Sequence, residues 1–177
     1  MTMTINGSGT ITGLVAGGLP DAVITQPDLA VNVAGNGPVF HYYQSVQQTG
    51  VGAFTTTKIT FTTSIFDNTG GMFANSRFTP TVAGYYQLNF GIQIPYANTN
   101  AAINASLTKN GFAMISGSAS TGGNSLYPDS AGSGLVYLNG STDYAEVVIY
   151  GSQAGTTFNI QTGQERTFFS GALVRAA

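Results

Sequence analysis

The sequence predicts an all-β protein, a sandwich of short antiparallel strands, and three observations predict it. Apolar side chains recur at every second position, most clearly as Tyr86, Leu88, Phe90, Ile92 and Ile94, with Gln87, Asn89, Gly91 and Gln93 between them. That period puts one set in a core and the other on the opposite face. The runs are separated by turn-forming text: Asp67-Asn68-Thr69-Gly70-Gly71, Lys109-Asn110-Gly111 and Asn139-Gly140-Ser141. Asn-Gly and Gly-Gly supply the positive φ that tight hairpins need. No internal repeat of fixed period is present, which excludes a solenoid or propeller and leaves a sandwich or barrel.

Taken in order, the chain divides near Gly35-Asn36-Gly37-Pro38. Residues 1–37 are glycine-rich and spaced with Ile5, Ile11, Leu14, Val15 and Leu19. Such a segment cannot offset its own chain entropy, so those side chains would be buried only against copies of themselves or a neighbouring protein. It reads as a short, mostly irregular anchor or linker. One helix of about two turns is expected within it, with Thr25 or Gln26 as N-cap, Pro27 at the first helical position and Gly35 as its stop. Residues 38–177 read as a single domain of strands. Phe40-His41-Tyr42-Tyr43 is the first, and Ile59 and Phe61 between threonines the next. The long Tyr86 run is followed by Ile103, Ala105 and Leu107. A strand over residues 143–150 carries Ala145, Val147 and Ile149 on one face and Tyr144, Val148 and Tyr150 on the other. That second face is too apolar for free solvent. Phe158 with Ile160, then Phe169 with Leu173, mark the last two.

Composition narrows the function. Cysteine is absent, so disulfides, thiolate metal sites and thiol nucleophiles are excluded. Charged residues make up 7% of the 177 residues, with Lys plus Arg 5 and Asp plus Glu 7, against about 25% in ordinary soluble proteins. The first basic residue is Lys58. No basic footprint exists for nucleic acid or for anionic lipid. No run of about 18 apolar residues could span a membrane, and the chain start carries no expected signal-peptide pattern. A surface this poor in charge associates readily unless it is covered, so a homo-oligomer is expected.

Catalytic chemistry has little to work with. His41 is the single histidine and sits in the aromatic first strand, where a structural role at a contact is expected. Neither a Gly-x-Ser-x-Gly elbow nor a phosphate loop is present, and residues 117–123 read as a mobile glycine-rich loop. Asp143 and Glu146 are expected on opposite sides of one strand, which prevents joint acid–base work. Asp67 and Asp129, in turns, could offer oxygens to calcium, but no ligand set can be assembled and no cofactor is expected. Two aromatic- and amide-rich loops are candidates for receptor contact: one with Tyr96, Asn98 and Asn100, the other with Asn124, Tyr127 and Asp129. Rings that stack on sugars beside amides that bond hydroxyls suit a glycan.

The text from Phe78 to Gly84-Tyr85-Tyr86-Gln87-Leu88 resembles the central signature of the C1q/TNF jelly rolls. Three further matches lie in order: Phe66-Asp67-Asn68 before a glycine-rich turn, Leu138 through Gly140 to Asp143, and the terminal Phe169-Ser170-Gly171-Ala172-Leu173. The resemblance covers residues 38–177 and implies a homotrimer packed about a threefold axis. Phe78, Gly84, Tyr86, Leu88, Phe169, Gly171 and Leu173 would then form its core and trimer signature. Gly84 is expected to permit a sharp strand entry, and Gly171 a close approach by another backbone or ring. Several relatives bind calcium near the trimer apex. The stretch from Gly17-Gly18-Leu19-Pro20 to Asp28-Leu29-Ala30 resembles linkers of bacteriophage and prophage fibre proteins instead. Together these imply a non-enzymatic virion protein, a tail-fibre-type knob docked through residues 1–37 on other virion proteins and attached to the host surface. A capsid head fibre and a free C1q-like carbohydrate-recognition module are the alternatives.

Overall fold

A computed structural model describes residues 4–5, 11–12, 35–95, 102–117, 120–121, 127–151 and 157–177. The helix expected after Pro27 lies outside the described residues. The strands, in chain order, are β1 (Thr4–Ile5), β2 (Ile11–Thr12), β3 (Val39–Tyr43), β4 (Gln48–Gly52), β5 (Thr57–Lys58), β6 (Thr63–Asp67), β7 (Phe73–Ala74), β8 (Arg77–Phe78), β9 (Ala83–Gln93), β10 (Ala102–Lys109), β11 (Phe112–Ser116), β12 (Ser120–Thr121), β13 (Asp129–Asn139), β14 (Ala145–Gly151), β15 (Thr157–Ile160) and β16 (Phe168–Ala176).

Two sheets form the sandwich, and all strand pairs are antiparallel. One is five-stranded in the order β13-β9-β16-β3-β6. The other is seven-stranded, β11-β10-β14-β8-β7, with β12 also on β10 and β5 also on β14. The long strands alternate between layers along the chain: β8 lies in one, β9 in the other, β10 back in the first, β13 in the second, β14 in the first and β16 in the second. That crossing pattern defines a jelly roll. The short pair β4–β15 stands apart from both sheets and buries Val51 and Ile160, while β1 pairs with β2.

The expected period-2 pattern is the core. Tyr86, Leu88, Phe90, Ile92 and Ile94 on β9 and just beyond it are each at most 1% exposed. Facing them from the other layer are Ile103, Ala105 and Leu107 on β10 and Ala145, Val147 and Ile149 on β14. Phe40 anchors the aromatic end, its ring 4.7 Å from Phe78, 4.9 Å from Phe73 and 5.1 Å from Phe169. Each such fully buried side chain contributes about 2 kcal/mol of transfer free energy.

Several boundaries differ from expectation for physical reasons. Ile59 and Phe61 are buried, but only Thr57–Lys58 forms a ladder. Ile59 N–H donates to Val147 O at 2.9 Å, and Phe61 N–H to Ser76 Oγ at 2.7 Å, so a side chain replaces part of the strand pairing. Strand β14 begins at Ala145, because Asp143 belongs to the preceding turn rather than to the strand. Residues 117–123, expected as a loop, contribute β12. Asp67 and Asp129 are the terminal residues of β6 and β13 rather than turn residues.

Candidate functional site

The outward face of the five-stranded sheet is built by the residues that alternate with the core set. In register across the strands stand Leu135, Gln87, Ala172 and Val39, then Ser133, Asn89, Ser170, His41 and Phe66. A third row holds Ala131, Gly91, Phe168 and Tyr43. The middle of this face carries no carboxylate, ammonium or guanidinium among the described residues. Gly91 matters here: a Cβ there would meet Phe168 Cε1 at 2.7 Å. Without one, the Phe168 ring can lie across β9, where it stacks on His41 at 5.5 Å. Phe66 meets the other side of His41 edge-on at 5.8 Å.

A polar ladder crosses the same face. Gln87 Nε2 donates to Ser133 Oγ at 2.8 Å, Ser133 Oγ donates to Asn89 Oδ1 at 2.7 Å, and Asn89 Nδ2 reaches Ser170 Oγ at 3.5 Å. Uncharged and mutually paired, these groups add little desolvation cost if the face is covered. His41 differs: its Nε2 is buried without a partner among the described residues, and burial lowers its pKa. Among the described residues no nucleophile or carboxylate is bonded to it, and its ring sits against Phe66 and Phe168. Beside Ser133, Ala131 and Phe168 lies a shallow hollow of about 390 Å³. At the edge of the sandwich where β13 of this sheet meets β11 of the other, Leu135 and Tyr137 on β13 and Phe112 and Met114 on β11 are exposed, Phe112 to 78%.

The signature residues sit beneath this face. Phe78, Tyr86, Leu88 and Phe169 are wholly buried and Leu173 nearly so. The Tyr86 hydroxyl donates to Val82 O at 2.7 Å, and burial pushes its pKa up to about 12. Gly171 lies under the Phe40 ring and Leu88, where a Cβ would come within 2.7 Å of one and 2.5 Å of the other. Gly84 works by the same means and not by a sharp turn: a Cβ there would meet Arg175 O at 2.5 Å.

The seven-stranded layer is different in chemistry. Glu146 Oε1 receives Arg77 Nε at 2.8 Å and Lys58 Nζ at 3.1 Å. The Arg77 guanidinium covers the Tyr144 ring at 3.9 Å, and Phe54 meets Tyr150 edge-on at 6.4 Å. These contacts, which the one-dimensional pattern did not reveal, partly cover the apolar second face expected for β14. Asp143 binds Lys109 Nζ at 2.7 Å and accepts from Asn110 Nδ2 at 2.7 Å. Those donors hold its carboxyl below the usual range against burial. It is therefore occupied, and Asp143 and Glu146 serve separate cations.

Of the predicted receptor loops, Tyr96, Asn98, Asn100 and Asn124 lie outside the described residues. Tyr127 is exposed and Asp129 opens β13, exposed beside Gln93. Asp67, the other calcium candidate, is committed to its own strand end. Its Oδ2 accepts from the Tyr42 hydroxyl at 2.6 Å and its Oδ1 from Thr69 N–H at 2.7 Å. No group of three or more His, Cys, Asp or Glu side chains converges among the described residues.

No protein-family model matches the chain, and no curated protein matches it. Solved structures do. Murine APRIL, in its structure at pH 5.0, superposes with a TM-score of 0.60 at 12% identity, covering 77% of this chain and 98% of that one. Eiger TNF from S. frugiperda gives a TM-score of 0.53 at 9% identity, covering 78% and 93%. The fold is a TNF-like jelly roll. At such identities the likeness is one of backbone architecture.

Proposed function

We propose that the protein is a non-enzymatic structural component of a bacteriophage virion, a homotrimeric tail-fibre-type knob that meets the host surface. The observation that carries the assembly is the uncharged aromatic face of the five-stranded sheet together with the separate apolar edge beside it. Two different sticky surfaces on one protomer suit a head-to-tail contact, and such contacts stay soluble only when they close into a ring. In the trimer, the edge bearing Phe112, Met114 and Tyr137 packs over the face bearing His41 and Phe168 of the next protomer. The hollow beside Phe168 takes one of the edge side chains. That arrangement buries the apolar groups and leaves the Lys58–Arg77–Glu146 cluster of the seven-stranded layer in water, in keeping with a chain of which only 7% is charged.

The virion role is supported by the sequence of residues 1–37, whose text resembles phage fibre linkers and which would dock on other virion proteins. Mass measurement tests the assembly: light scattering is expected to give three times the chain mass of 18.3 kDa, and a stable monomer at micromolar concentration would overturn it. Immunogold labelling of particles tests the location. Label at the tail is the expected result, label on the head transfers the same trimer to a capsid fibre, and absence from particles ends the virion reading.

A further inference from the structure

On the seven-stranded layer a pocket of about 400 Å³ opens between β5 and the β7–β8 hairpin, lined by Lys58, Arg77, Asn75, Thr79 and Met72 with a glycine turn. Its volume is within the about 300–1,000 Å³ of small-molecule sites. We propose that it is a binding site for a sugar carrying one carboxylate, with the Arg77 fork and Lys58 holding the acid group.

Charge is the first argument. Two of the five cations in the chain share one carboxylate, so one positive charge is left over. No acid is among the described residues that line the pocket. Orientation is the second. Arg77 spends only Nε on Glu146, at 2.8 Å, and its plane rests on Tyr144. Both terminal nitrogens are therefore uncommitted among the described residues and fixed in direction, as bidentate carboxylate recognition requires. Lys58 is held likewise, by Asn75 O at 3.0 Å and by Glu146, and retains a third proton.

The walls supply the rest. The Asn75 amide and Thr79 hydroxyl make no side-chain hydrogen bond to a described residue, and both can pair with sugar hydroxyls. Met72, packed against the core, offers an apolar patch to a ring face. The hairpin holding them is rigid: Asn75 and Ser76 have φ of 52° and 59°, and Ser76 Oγ ties the turn to the Phe61 backbone at 2.7 Å. A single surplus charge matches a monoanion, whereas a phosphate monoester would bring a second, unmatched one. The site lies on the opposite layer from the aromatic face, so assembly through that face leaves it open. This gives host attachment a ligand class without depending on it.

The test is titration of the full-length protein with methyl glucuronide, methyl glucoside and inorganic phosphate by isothermal calorimetry and side-chain NMR. The glucuronide is expected to bind in the millimolar range, about tenfold more tightly than the glucoside, as one charge-assisted bidentate contact implies. Arg77 resonances should shift with it. Arg77→Lys keeps the charge and the Glu146 pair but loses the fork, and should weaken glucuronide about tenfold; Lys58→Gln should weaken it less. Equal binding of the two glycosides, an unchanged affinity in Arg77→Lys, or tighter binding of phosphate than of glucuronide would each overturn the site. Failure here leaves the trimer standing, since mass is measured without sugar, and a monomer with an intact pocket would still bind.

Discussion

The two outer faces of the sandwich enclose one core but are built from opposite chemistry. On the five-stranded layer, rings and amides stand in register and charge is kept to the strand ends, at Asp67, Asp129 and Arg175 among the described residues. On the seven-stranded layer Lys58, Arg77, Glu146, Lys109 and Asp143 are paired in two clusters. A chain with twelve charged residues has little freedom to decorate both faces, and five of those among the described residues are paired on one. The contrast underlies the proposed assembly, in which the ion-paired clusters stay in water and the aromatic face is covered.

The strongest way to break the comparison is to place a charge on the bare face. Phe168→Glu would bury a carboxylate among His41, Phe66 and Gly91 in any assembled form, at a cost of several kcal/mol per protomer. The expected outcome is a folded monomer by light scattering. Tyr150→Glu, at a position 42% exposed on the other layer, should leave the mass unchanged. Equal behaviour of the two variants would show that the faces do not differ in role.

The second prediction works on the charged layer. Glu146→Ala removes the one carboxylate that separates two cations and leaves Lys58 and Arg77 facing each other. The side chain is 11% exposed and accepts two charge-assisted bonds, so the loss is expected to be about 2 kcal/mol. For a domain of this size that lowers Tm by about 6 °C, read by calorimetry. Arg77→Gln, which removes one cation from a carboxylate that keeps the other, should cost about half as much. If Glu146→Ala proves neutral, the cluster is surface decoration.

How much of this was legible beforehand divides along the same line. The core set of β9, the buried faces of β10 and β14 and the turn at Asn110 and Gly111 follow from periodicity and from positive φ, both local properties. The jelly-roll layer order came from a resemblance at Phe78, Gly84, Tyr86 and Gly171, not from the pattern. The β7–β8 hairpin went unseen because its turn, Asn75-Ser76, carries positive φ without a glycine. The Lys58–Glu146–Arg77 cluster was equally hidden, since its members are 88 and 69 residues apart and meet only through the pairing of β14 with β5 and β8. The spare outward positions of a strand were the available signal: a lone Glu at 146 among apolar neighbours demands a partner. For Gly84 the reason offered by the sequence was a local bend, and the actual one is a neighbouring strand that no local pattern encodes.

The smallest expected effect concerns acid, and it separates the two faces by pH. His41 lies between Phe66 and Phe168, and burial lowers its pKa below the ordinary 6.5. The unfolded chain therefore binds a proton before the folded one does, and stability falls as pH drops through about 6.5 toward the lower folded value. Burial of Asp67 opposes ionisation, yet bonds from Thr69 and Tyr42 outweigh it and hold the carboxyl below 3.8. Asp143, on the other layer, is held below the same value by Lys109 and Asn110. Both contribute stability above their unfolded pKa that is lost only as pH falls through their depressed folded values. Between pH 7 and 5 the histidine acts alone among these three groups, and only on the aromatic face. The wild-type Tm should decline across that interval while His41→Phe stays level, and both should fall together below about pH 4 as the carboxylates protonate. Because a covering protomer would bury His41 further, dilution that leaves the proposed trimer intact at pH 7 should release monomers at pH 5. A His41→Phe protein that lost mass at pH 5 to the same extent would place the acid-sensitive group elsewhere.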